Sequence, residues 1–322
     1  MRKGTMRSGF RYTDHTGKAI IDNDTLERIR SLVIPPAWKM VRIAVSPRTS
    51  IQAVGMDTTG RVQYIYEAAF AERQQKKKFE RIEEVGRYLP ALRRRTNKDI
   101  LLKGAPREKV LAVMMRLINE LYIRTGTDKS AETYKTFGIT TLRNKHLKIE
   151  RGGKLIFDFV GKSHIKHRKV LVDEKLAAIL KELKQLKGGK LFKYLDENGK
   201  IHPIKPADVN AYIKEATADQ FTSKDLRTWG ATLLAAEELA EIGVGESETD
   251  VKRNVVKAVK KVAEDLGNTP AVCRGSYIHP KVIKAYENGV TLDAFRPRKM
   301  RRIGNIQAEY EKEEKALLKL LK

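Results

Sequence analysis

Residues 265 to 277, Asp-Leu-Gly-Asn-Thr-Pro-Ala-Val-Cys-Arg-Gly-Ser-Tyr, constrain this chain more than any other stretch. They read as the end of a basic amphipathic helix over 251–266, a Gly267-Asn268 stop, Pro270, and a second short helix carrying Tyr277. Glycine accepts the left-handed backbone that closes a helix, and proline cannot continue one. A tyrosine beyond such a corner is ordinarily a half-buried aromatic. Three cations elsewhere, Arg124, Lys162 and Arg227, each in a distinct setting, give Tyr277 a second reading. A phenol with several cations suits a nucleophile facing a phosphodiester.

A chain of 322 residues that is 41% hydrophobic can bury a sizeable core, and two domains are expected. A net charge of +25 calls for a polyanionic partner, double-stranded DNA ahead of an anionic membrane surface. No apolar run approaches the roughly 18 residues that span a bilayer. The start, Met1-Arg-Lys-Gly4, leads into no apolar stretch, so neither secretion nor a membrane anchor is expected, and the cytoplasm (with the nucleoid) or a virus is the expected setting. A single cysteine, Cys273, excludes an internal disulfide framework.

Residues 1–75 read as a small strand-rich domain. Phe10 to Lys18 is a strand meeting a polar turn, and 24–32 is a short helix capped by Asp24 or Asn23 and stopped at Pro35-Pro36. Val41 to Val45 alternates as a strand, and Ile51 to Tyr66 is a hairpin turning at Asp57-Thr-Thr-Gly60. The period of two puts Gln63 on one face and Tyr64 with Tyr66 on the other. If exposed, these residues can meet a DNA groove or backbone; if not, the tyrosines are core.

Residues 76–322 read as a larger, mainly helical domain. Ala68 to Arg87 is a polar helix whose Gln74 to Lys78 segment is a hinge or a solvated start. Arg107 to Thr125 is a helix with a stripe of Val110, Val113, Met114, Leu117, Ile118 and Leu121, placing Arg124 at its C-terminal end. Three short strands follow: 147–150, 154–160 and 170–172, the first pair turning at Gly152-Gly153. Lys162 falls near the second hairpin tip, where a long arm can swing. His164 and His167 lack the further ligands of a zinc spacing, and no metal site is expected. Thr222 and Asp225 form a loose cap for the helix that carries Arg227 in its first turn. The helix dipole disfavours a cation there, which points to an anionic target.

In order and spacing, several segments together resemble the type IB DNA topoisomerases of the compact poxvirus and bacterial kind. They are Gly60 to Tyr66, Tyr122 to Gly126, Thr141 to His146, Phe159 to Lys162, Lys224 to Thr228, and Leu266 to Pro270 with Tyr277. The resemblance implies an α+β chain forming a monomeric two-domain DNA clamp, with a strand-rich N-terminal domain. Its mainly α-helical catalytic domain would contain a three-stranded antiparallel sheet. It implies relaxation of supercoils by cleavage of one strand through a 3′-phosphotyrosyl intermediate, strand rotation and religation, without ATP, metal or other cofactor. Carried over by position, Tyr277 is the nucleophile, Arg124 and Arg227 clamp the phosphate, and Lys162 is the acid. Gln63, Tyr64, Tyr66, Lys129, Arg143 and Lys145 contact DNA. Many relatives carry His where this chain has Asn268, which can donate a hydrogen bond but cannot carry a proton.

The chemistry is coherent on its own terms. Attack on a phosphodiester builds charge on the non-bridging oxygens, which two guanidiniums hold bidentately. Neighbouring cations ease loss of a phenol proton, and the leaving alkoxide takes one from Lys162. Gly161-Lys-Ser163 lacks the earlier glycine of a nucleotide-phosphate loop. Two other functions fit the same composition: a tyrosine site-specific recombinase, against which Lys224 stands where those enzymes usually carry His, and a basic DNA-coating protein without chemistry.

Overall fold

Alternation in the first 66 residues becomes two small antiparallel sheets in the computed structural model, which describes residues 1–217, 221–296 and 310–322. The chain divides into two units, Met1–Lys78 and Phe79–Lys322. In the first, β1 (Arg2–Thr5) pairs with β2 (Gly9–Tyr12), and α1 (Asn23–Ser31) precedes a three-stranded sheet. That sheet runs β3 (Lys39–Ile43), β4 (Ile51–Met56), β5 (Val62–Tyr66) in chain order. The β4–β5 turn is held by Asp57, whose Oδ1 accepts from the main chain of Thr59 at 2.9 Å and of Arg61 at 3.0 Å. The cap of α1 is Asp22, one residue before the expected pair; its Oδ2 accepts from Thr25 N at 2.9 Å.

The helix expected to end near Arg87 instead runs 32 residues, α2 (Ala68–Asp99), straight through Pro90. A proline forfeits one helical hydrogen bond. The buried stripe of Phe79, Ile82, Val85, Leu89 and Leu92 outweighs that loss and continues the helix, while Gln74 to Lys77 is exposed and Lys78 half-buried.

The larger unit continues with α3 (Arg107–Leu121) and α4 (Asp128–Thr133), then the antiparallel sheet β6 (Leu147–Ile149), β7 (Lys154–Val160), β8 (Lys166–Val172). Strand β8 begins four residues earlier than expected, pairing Phe159 with His167. Next come α5 (Glu174–Gln185), the hairpin β9 (Lys193–Leu195) and β10 (Ile201–Pro203), and α6 (Pro206–Ala216). Helices α7 (Ser223–Ile242), α8 (Glu248–Leu266), α9 (Pro270–Ser276), α10 (Pro280–Glu287) and α11 (Lys312–Leu321) complete it. Most of the basic stretch after Arg296 lies outside the described residues. Among the described residues no helix is long and apolar enough to cross a membrane.

Helix α7 lies at the centre of this unit, contacting α3, α6, α8, α10 and α11. Its Trp229 is 2% exposed and lies against Gly86 of α2, where an added Cβ would fall 2.3 Å from ring atom Cζ3. Alanine normally gains about 0.5–1 kcal/mol over glycine inside a helix. Overpacking of this kind costs about 1–3 kcal/mol, so the clash wins. Gly86→Ala is expected to lower the melting temperature by roughly 2–8 °C. A thermal melt as high as the parent's would show that Trp229 moves aside freely.

Candidate active site

Four chain segments bring Arg124, Lys162, Arg227 and Tyr277 together. The first leaves α3 early: the helix stops at Leu121, and Tyr122 takes a left-handed conformation at φ 53°. Arg124 therefore sits beyond the helix, not on its last turn as the sequence suggested. Its strip is fixed by main-chain bonds from Ile139 N to Arg124 O at 2.7 Å and from Thr140 N to Thr125 O at 2.9 Å. The close approach needs glycine: a Cβ on Gly138 would lie 2.5 Å from Arg124 O. The second segment is the turn between β7 and β8, where Lys162 is exposed at its start.

The third is α7. Thr222 and Asp225 cap it as read, Asp225 Oδ2 accepting from Thr222 N at 2.9 Å and Oγ1 at 2.8 Å. Arg227 is the fifth residue of the helix, not in its first turn, and is 4% exposed. The dipole argument made from the sequence therefore fails. Arg227 instead donates to the main-chain carbonyl of Leu266, the last residue of α8. The fourth segment is the corner after α8, closed by Gly267 at φ 60°, with Tyr277 capping α9. Tyr277 is anchored from α7, its carbonyl accepting from Thr232 Oγ1 at 3.1 Å.

The guanidinium carbon of Arg227 lies 5.5 Å from the centroid of the Tyr277 ring. Arg124, Lys162 and Arg227 line one cleft with His167 and Lys169. Among the described residues none of those three cations pairs with a carboxylate. Arg124 donates instead to Asn268 Oδ1, which turns the amide nitrogen the other way. That Nδ2 and Arg227 Nε are buried donors without a hydrogen-bond partner. Orphaned buried donors are costly and rare unless something outside the protein satisfies them. A cleft of unneutralised cations with two such donors suits a phosphate.

The electrostatics agree. Burial, then repulsion from Arg124, lowers the Arg227 guanidinium to about 10 despite the partnership of Tyr277. Burial raises the Tyr277 hydroxyl, but Arg227, Arg124 and Lys224 more than offset it, leaving the phenol below its usual value. An arriving anion would relieve the repulsion between the two guanidiniums.

Of the residues read as DNA contacts, Gln63, Tyr64 and Tyr66 belong to the first unit and Lys129, Arg143 and Lys145 to the second. Tyr64 and Tyr66 are 48% and 47% exposed and stack at 6.2 Å between centroids, so they are not core. Gln63, half-buried, donates to Asp57 Oδ2 at 2.9 Å. Lys129 on α4, Arg143 and Lys145 are exposed, with the Arg143 guanidinium 5.8 Å from the Phe137 ring centroid. The sequence reading passed over His167 and Lys169, weighing His167 only as a zinc ligand. The period of two along β8, which puts both with Leu171 on the inner face, was the available signal.

Comparison with known proteins bears on this geometry. The family described as eukaryotic DNA topoisomerase I, catalytic core, matches residues 67–301, and the bacterial DNA topoisomerase IB N-terminal domain matches residues 9–57. DNA topoisomerase 1B of Acanthamoeba polyphaga mimivirus is 32% identical over 270 residues, covering 82% of this chain and 80% of the relative. DNA topoisomerase 1B of vaccinia virus (strain Copenhagen) is 24% identical over 307 residues, covering 91% and 92%. A solved XerH site-specific recombinase bound to difH substrate aligns over 62% of this chain and 51% of its own at 16% identity and a TM-score of 0.38, too distant to bear on the reading.

Titration tests the geometry directly. In the difference between the parent and Tyr277→Phe tyrosinate spectra, Tyr277 is expected to ionise below a free phenol. In an Arg124→Gln background the same difference should shift to higher pH, because one of its lowering charges is gone. An unmoved midpoint would place Arg124 too far from the phenol to act on it.

Proposed function

The chain belongs to the type IB DNA topoisomerase family, and from that premise we propose that Tyr277 attacks one phosphodiester of duplex DNA and forms a 3′-phosphotyrosyl link. Supercoils then escape by rotation of the free 5′ end before religation. The observation that carries the assignment is the contact of Tyr277 with Arg227, beside a cleft where, among the described residues, neither Arg124 nor Lys162 pairs with a carboxylate. Tyr277 gives its proton to water as the phenolic oxygen bonds to phosphorus and the bond from phosphorus to the 5′-oxygen breaks. Arg124 and Arg227 hold the charge that grows on the non-bridging oxygens, and Asn268 Nδ2 adds a hydrogen bond. Lys162 gives its proton to the departing 5′-oxygen, which is too basic to leave as an alkoxide. Religation reverses each transfer, and the covalent bond to tyrosine conserves the energy of the cleaved one. Side-chain cations supply the charge, so neither nucleotide nor metal is required by this scheme.

In the same reading, residues 1–75 are the DNA-clamp domain and 76–322 the catalytic domain of a monomer. Gln63, Tyr64 and Tyr66 meet the duplex from one unit, and Lys129, Arg143 and Lys145 from the other. The exposed Tyr64–Tyr66 pair supports the first assignment. The protein would work wherever DNA is handled, in the cytoplasm with the nucleoid or in a virus.

Tyr277→Phe is expected to bind duplex DNA as the parent does while losing both plasmid relaxation and the denaturation-resistant DNA adduct. An adduct retained in that variant would remove Tyr277 from the chemistry. The parent should relax a plasmid lacking paired target sites in excess EDTA and without ATP. Exchange confined to paired sites would instead mark a recombinase, and a strict Mg²⁺ requirement for strand cleavage would overturn the all-side-chain scheme.

A further inference from the structure

His167 takes no part in the scheme above, yet its ring touches both sides of the cleft. It lies on the inner face of β8, 9% exposed, stacked on Phe159 at 5.0 Å between centroids. A Cβ built on Gly161 would fall 2.6 Å from ring atoms Cδ2 and Nε2, and one on Gly267 would fall 2.1 Å from Cε1. Both distances are far inside van der Waals contact, so the ring fills room that two absent side chains leave. Gly161 immediately precedes Lys162, and Gly267 immediately precedes Asn268. The imidazole is thus the packing between the turn that bears the proposed acid and the helix end that bears the proposed phosphate donor.

The two sides differ in stiffness. Gly267 belongs to a closed helix end, with Asn268 N donating to Ala263 O at 2.9 Å and Gly267 N to Glu264 O at 3.2 Å. The Lys162 turn is exposed, and Ser163 and His164 both hold positive φ, 62° and 58°, which side-chain-bearing residues adopt at a cost. At its base it is closed by Gly161 N donating to Ile165 O at 2.8 Å. A functional side chain on such a turn needs a rigid neighbour to define its position. Burial, then the charges of Lys169, Arg124 and Arg227, holds the imidazole down to about 4, so at neutral pH it adds no repulsion to a cationic cleft.

We propose that His167 is a positioning residue for Lys162: its ring, seated against the Gly267 cap, fixes Gly161 and so sets where the ammonium meets the leaving 5′-oxygen. The inference rests on the reading of Lys162 as the acid, and the test separates the two.

Single-turnover cleavage would be measured on two duplexes, one ordinary and one with sulfur replacing the bridging 5′-oxygen at the scissile bond. A thiol has a pKa near 8.5, so a thiolate departs without a proton and only the need for an acid is removed. On the oxygen duplex, misplacing the acid in His167→Ala should slow cleavage roughly a hundredfold. On the sulfur duplex His167→Ala and Lys162→Ala should both return to within about threefold of the parent. Asn268→Ala should stay slow on both. His167→Phe, which refills the space over Phe159, should recover part of the oxygen rate. Gly161→Ala at φ −95° introduces no backbone strain but displaces the ring, so it should copy the oxygen–sulfur contrast even if His167→Ala fails to fold. Rescue of Lys162→Ala without rescue of His167→Ala and Gly161→Ala would overturn the inference alone, as would full speed of His167→Ala on oxygen. No rescue of Lys162→Ala would remove the acid assignment and the inference with it.

Discussion

A guanidinium buried to 4% exposure beside a phenol is the interaction on which this molecule turns. Taking a charge out of water costs several kcal/mol even after relaxation. Arg227 recovers part of that through the carbonyl that ends α8 and through the face of Tyr277, but another cation, Arg124, stands close enough to disfavour it. No carboxylate resolves the conflict among the described residues. The folded chain therefore holds an unbalanced positive site at a cost the hydrophobic core must cover, and a bound phosphate diester would balance it. Such an unbalanced site is what the proposed function needs.

Helix α7 is how the fold sustains this. Arg227, Gly230 and Thr232 fall within two turns of it and point in different directions, each toward a different segment. Arg227 reaches α8, and Thr232 holds the main chain of Tyr277. Gly230 admits the ring of Tyr122, since a Cβ there would lie 2.3 Å from ring atom Cε1. Tyr122 is the left-handed cap of α3, so this contact sets α3's end, and with it the Arg124 strip, beside Arg227. Asn268 completes the circuit by accepting from Arg124 at the start of the α9 corner. Distant stretches of sequence meet because small residues sit where backbones must approach.

Much of this was legible before any coordinates. Strong periodicity found α3, and the Gly267-Asn268-Thr-Pro270 corner emerged where the turn chemistry put it, because those signals are local. The sequence reading failed where a tertiary contact outweighed a local rule. Pro90 did not end α2, since the buried stripe from Phe79 to Leu92 spans it. Arg227 was read against the dipole of its own helix, whereas the terminus it meets belongs to α8. Hairpin β9–β10 has strands of three residues each, too short for a period to register. His167 escaped because its partners are two glycines, and a residue that works by filling an absent side chain's place leaves no motif.

The asparagine at 268 then has a specific consequence. Its oxygen accepts from Arg124, which leaves the amide nitrogen as a buried donor beside that arginine. A histidine at the same place could titrate, and its charge would vary with pH beside two guanidiniums. An amide donates over the whole pH range and adds no repulsion to Arg227. With position 268 silent and His167 held down to about 4, the Tyr277 phenol is the group of the proposed chemistry whose ionisation its neighbours favour. The phenol is shifted down by the same cations that would bind the phosphate. On the proposed scheme binding and activation would not be separate devices: loss of Arg124 or Arg227 would weaken the hold on the diester and also make the Tyr277 phenol harder to ionise.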